Sequence, residues 1–63
     1  MNSEELFKRE LSKAGFDLET FKGKPAIKVS RYELDDVKKI LSKIGGVKYE
    51  CQTLPQFSWV YCA

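Results

Sequence analysis

Two periods of hydrophobic and polar positions divide this chain. In the first stretch Leu6, Phe7, Leu11 and Ala14 recur at helical spacing. Asn2 or Ser3 stands where an N-cap belongs, Glu4 and Glu5 fill the first turn, and Gly15 can take the left-handed conformation that ends a helix. A helix is predicted over residues 3–14. A second follows over 31–44. There Ser30 and Glu33 form an S-x-x-E capping box, Leu34, Val37, Leu41 and Ile44 make an apolar stripe widened by Ile40, and Gly45-Gly46 stops it.

The rest of the chain has the period of strands. Leu18–Phe21 and Ala26–Val29 read as two short strands around a turn at Lys22-Gly23-Lys24-Pro25, since proline cannot donate to a ladder. From Val47 to Thr53, Val47, Tyr49 and Cys51 alternate with Lys48, Glu50 and Gln52. Leu54-Pro55-Gln56 turns the chain, and Phe57–Cys62 is a last strand rich in aromatic and β-branched residues.

An offset of thirty residues lays Phe7–Gly15 on Val37–Gly45, with five of nine positions identical: Lys, Leu, Ser, Lys and Gly. A hairpin follows each copy, so residues 3–29 and 30–63 read as two repeat units of one small domain spanning 1–63. An isolated hairpin is marginal in water, but two can share a sheet. The expected fold class is therefore α+β, a two-layer sandwich in the order α-β-β-α-β-β. It has a four-stranded antiparallel sheet with two helices on one face. Lys48, Glu50 and Gln52 require the other face to be wet.

The pattern leaves the last strand ambiguous. Phe57, Trp59 and Tyr61 point one way and Ser58, Val60 and Cys62 the other, and a one-residue slip exchanges them. A chain of 63 residues buries only about 60% of its extended surface, and each aromatic can bury roughly 150–250 Å². The three aromatics are expected to be core on that ground. If they face water, they are a binding surface.

Composition sharpens this picture. Eleven Lys/Arg against nine Asp/Glu give a net charge of +2, too little by itself to argue for nucleic acid or membrane. All eleven basic residues lie between Lys8 and Lys48, while the last fifteen residues carry one charge, Glu50. No apolar run is long enough for a signal peptide or membrane helix, which suggests a cytoplasmic protein whose Cys51 and Cys62 stay reduced.

Catalytic chemistry is not legible. The chain has no histidine, no phosphate-binding glycine loop and no metal-ligand spacing, so no enzyme activity, cofactor or metal is expected. The carboxylate pairs Glu4/Glu5 and Asp35/Asp36 sit in first helical turns, where the helix dipole favours them. Residues 9–23, Arg-Glu-Leu-Ser-Lys-Ala-Gly-Phe-Asp-Leu-Glu-Thr-Phe-Lys-Gly, resemble the opening of HicA-type mRNA-cleaving toxins. That family has a double-stranded-RNA-binding-like fold and a Gly-Ser-His catalytic turn. Here the turn reads Lys22-Gly23-Lys24-Pro25, no histidine replaces the catalytic one, and a hairpin is expected where the family ends in a helix. The resemblance covers about a quarter of the chain and carries no activity over.

Two binding classes follow. The first is a small protein-interaction regulator or inhibitor that binds a larger protein through Phe57, Trp59 and Tyr61, or pairs with a second copy if the last strand is a sheet edge. The second is a module for DNA or RNA that uses the lysine-bearing helix faces, Lys8, Arg9 and Lys13 with Lys38, Lys39 and Lys43. Those charges also suit an ordinary solvated helix, through i,i+4 pairs such as Glu4–Lys8, Glu5–Arg9 and Asp35–Lys39. Outward-facing Trp59 or Tyr61 beside lysines would instead make a base-stacking platform, although Lys48 is the only basic residue close by in sequence.

Overall fold

A computed structural model describes residues 2–63. Helix α1 runs Ser3–Lys13 and is closed at both ends by its own sequence. Asn2 Oδ1 accepts the Glu5 amide at 2.8 Å. At the other end Gly15 takes φ +96, its amide donates to Ser12 and the Phe16 amide donates to Leu11, the paired bonds of a Schellman motif. The apolar residue after the glycine, Phe16, folds back onto the core.

Helix α2 runs Leu34–Ile44, three residues shorter at its start than expected. The capping box is made: the Ser30 amide donates to Glu33 Oε1 at 3.1 Å and the Glu33 amide to Ser30 Oγ at 3.2 Å. Arg31-Tyr32-Glu33 forms the turn this box encloses, and that turn takes the place of the first predicted helical turn.

The strands are β1 (Glu19–Phe21), β2 (Lys24–Val29), β3 (Tyr49–Thr53) and β4 (Ser58–Cys62), all antiparallel in the order β1-β2-β4-β3. The first turn shrinks to Lys22-Gly23, so Pro25 lies inside β2 instead of in the turn. It is tolerated there because β2 pairs with β4 only from Ala26 onward, leaving Pro25 with one neighbour, Thr20. After α2 the chain forms the β3–β4 hairpin, as expected.

The core is built from Phe7 and Leu11 of α1, Val37 and Leu41 of α2, Ile27 and Val29 of β2, and Val60 and Cys62 of β4. Each such side chain contributes about 1.5–3 kcal/mol by leaving water. The strand residues in this cluster all belong to one set of alternating positions, and both helices pack on that side. Registration makes this explicit: Ile27 lies opposite Val60 and Val29 opposite Ser58.

One expectation is overturned, and the alternative of an edge strand is removed. Phe57, Trp59 and Tyr61 are not core: Ser58, Val60 and Cys62 are buried under the helices, and the aromatics take the opposite face. Phe7, Leu11, Val37 and Leu41 fill much of the layer between helices and sheet, and the central strand β4 meets them with the small or β-branched Ser58, Val60 and Cys62. Nor is the last strand an edge: β4 pairs with β2 on one side and β3 on the other. Its lack of charge needs no partner, because a strand with two neighbours has no unpaired ladder to guard.

Candidate functional site

Strand register determines which side chains share the open face. Residues directly opposite in an antiparallel pair point the same way. Glu19, Ala26, Tyr61 and Glu50 therefore form one row across all four strands, and Lys28, Trp59 and Gln52 form the next. Phe21 and Lys24 make a third at the β1–β2 end.

On this face the rings gather into one chain. Phe21 stacks on Trp59 with centroids 5.0 Å apart and planes 7° from parallel. Phe21 also meets Tyr61 edge-on at 5.2 Å, and Phe57 meets Trp59 edge-on at 5.7 Å. Phe21 and Trp59 stand in different rows and two strands apart, so their rings lean toward each other across the sheet. Ala26 makes that approach feasible. It lies on the open face yet is 0% exposed, and its small side chain leaves the space over which the rings meet.

Lysines are interleaved with the rings. Lys28 Nζ lies 4.8 Å from the Phe57 centroid and 5.9 Å from that of Trp59. Lys22 Nζ lies 5.3 Å from Phe21 and 5.9 Å from Tyr61. Cation–π contacts of this exposed kind contribute about 0.5–1 kcal/mol each. Among the described residues neither ammonium is ion-paired with a carboxylate. The four rings remain partly exposed, so the surface is amphipathic.

The backbone of the β1–β2 turn is unusual at this point. Lys22 has φ +54 and Gly23 φ +75, the pair of left-handed residues that a two-residue hairpin turn needs. Glycine takes this conformation freely and asparagine tolerates it. For most other residues it costs about 1–2 kcal/mol. Among the described residues Lys22 is the one non-glycine with positive φ.

Acidic groups are present too. Glu50 Oε2 accepts the Tyr61 hydroxyl at 2.9 Å, and this hydrogen bond, with Glu50's charge and slight burial, raises the Tyr61 pKa above its usual value. Tyr61, at the edge of the ring row, therefore stays protonated to higher pH than an ordinary tyrosine. Cys51, on the helix side of β3, has its thiol pushed up by burial against a smaller opposing pull from Lys38, which leaves it a poor nucleophile.

The predicted aromatic trio is brought together here, joined by Phe21, Lys22 and Lys28, which the sequence did not associate with it. No local signal reveals these partners, because β2 meets β4 only through the sheet order. The helix lysines stand elsewhere. Lys8, Arg9, Lys13, Lys38, Lys39 and Lys43 are exposed on the helices that cover the opposite face of the sheet. There Lys8 lies 3.8 Å from Glu4 and Arg9 Nε 3.6 Å from Glu10. Among the described residues no cluster of His, Cys, Asp or Glu could hold a metal ion, and no helix is long and apolar enough to cross a membrane. Protein-family models, curated proteins and solved structures give no match to the chain.

Proposed function

We propose that this domain is a non-catalytic binding module whose open sheet face takes single-stranded nucleic acid. One observation carries the reading: four partly exposed aromatic rings on the open sheet face, interleaved with the ammonium groups of Lys22 and Lys28, which among the described residues have no carboxylate partner. Single strands are held by stacking bases on aromatic side chains while cations follow the phosphates. Lysine suits such a surface because its flexible stem can yield a ring face to a base and keep its charge beside the backbone. Lys24, on the same face, adds a third cation, set against Glu19 and Glu50.

This differs from the protein-interaction regulator or inhibitor that the sequence alone favours. What moves the reading is the presence of β1–β2 lysines among the rings and the loss of a free edge on β4. It also differs from phosphate contact by Lys38 and Lys39, which lie on α2, across the sheet from the rings.

The test is fluorescence anisotropy with a labelled single strand of about ten nucleotides in a salt series. Affinity is expected to fall with salt at a log–log slope of about −2, from three lysines at about 0.7 each. Trp59→Ala should weaken binding about tenfold, and Lys38→Glu with Lys39→Glu should leave it nearly unchanged. Loss of binding only in the lysine double variant would transfer the site to the helices. No binding at low salt would return the protein-partner reading to the front.

We also read the two helix–hairpin halves, 3–29 and 30–63, as copies of one unit stacked as a two-layer sandwich. Supporting this, each half has an eleven-residue helix before its hairpin, and the second strands of the two hairpins, β2 and β4, meet at the centre of the sheet.

A further inference from the structure

We infer that Lys22 is a phosphate-contacting residue of the sheet surface and that a bound strand runs along β4 between Lys22 and Lys28. This rests on the single-strand reading and adds a direction and a named contact to it. The two lysines stand at opposite ends of the ring row. Lys22 lies over Phe21 and Tyr61, and Lys28 over Phe57 and Trp59. Between them the rings follow one another in space as Tyr61, Phe21, Trp59 and Phe57. A row of this extent accommodates about two or three stacked bases.

The turn supplies an independent argument. Stability would be served better at position 22 by asparagine or glycine, because the backbone there is left-handed. Against that backbone cost Lys22 makes two cation–π contacts and, among the described residues, no ion pair, so its ammonium stands over the rings. A residue held in a conformation it disfavours, with its charge directed over a partly exposed aromatic row, fits a phosphate contact. Lys28 sits in ordinary strand geometry opposite Trp59 and needs no such compromise.

The experiment pairs binding with stability in three variants. Lys22→Asn relaxes the turn and removes the charge. The eased backbone offsets the two lost cation–π contacts, so the urea midpoint should stay near that of the wild type, while binding of the ten-nucleotide strand weakens about threefold to tenfold and the magnitude of the salt slope falls by about 0.7. Lys22→Gln removes the charge and the ring contacts and keeps the strain, so it should weaken binding equally and lower the midpoint. Lys22→Arg should retain the wild-type slope. If the wild-type chain binds and Lys22→Asn binds with the same affinity and slope, the Lys22 contact is refuted while the single-strand reading stands. If the wild-type chain does not bind at low salt, both fall.

Discussion

The two faces of β4 solve opposite problems with alternate residues of one strand. Under the helices, Ser58, Val60 and Cys62 are small or β-branched and fully enclosed. On the open side, Phe57, Trp59 and Tyr61 are large, and ring-on-ring contact and the Lys28 ammonium shelter them in part. Bulk would ordinarily be spent inside. Here the interior is filled from the helices by Phe7, Leu11, Val37 and Leu41, so the largest side chains of the strand are left for the surface. Burial on one face makes the fold, and incomplete burial on the other leaves apolar area that a ligand can still cover.

The sharpest way to break this contrast is to truncate one residue from each face of the β2–β4 pair and compare stabilities. Ile27→Ala, on the helix side, should cost about 2–5 kcal/mol in urea unfolding. Ala26→Leu, on the open side, should cost about 1–3 kcal/mol, because the added bulk occupies the space over which Phe21 and Trp59 meet. It should also weaken oligonucleotide binding. Trp59→Ala should cost about 1–2 kcal/mol, from two ring pairs that are incompletely buried. If Trp59→Ala costs more than Ile27→Ala, the open-face cluster is a second core and the distinction between the faces fails.

The smallest expected effect concerns ionisation. Tyr61 has its pKa raised chiefly by donating to Glu50. A folded-state pKa above the unfolded one contributes stability that is complete below the usual tyrosine pKa of about 10 and is lost as pH rises through the shifted value. Stability should therefore decline in alkaline solution. In Glu50→Ala, the Tyr61 ring resonances followed by NMR should titrate at lower pH than in the wild-type chain. An unchanged midpoint would mean that the Tyr61–Glu50 bond does not persist in solution.

Much of the fold could be read from the chain because its signals are local. The Asn2 cap, the Schellman glycine at 15 and the Ser30–Glu33 box act within a few residues, and each is found as expected. The strand alternation around Glu50 and Gln52 likewise predicts a wet face. Boundaries failed where one competing preference prevailed. Arg31–Glu33 stayed in the turn that the capping box closes, and Pro25 entered a strand because its second neighbour was absent. The aromatic trio was left with two possible faces, and volume alone pointed to the helix side, whereas Ser58, Val60 and Cys62 take it.

The sequence by itself determined two amphipathic helices, two hairpins and a strand whose alternate residues are all aromatic on one side. Only the tertiary structure decided which side faces water. A period of two is symmetric under a one-residue slip, so the choice depends on how much volume the helices bring to the shared layer. Tertiary structure also decided that β4 lies between β2 and β3, which carries Lys28 to Trp59 and Lys22 to Tyr61 over separations of more than thirty residues. Pairing across such distances depends on closing the whole sheet, and no window of the chain contains it.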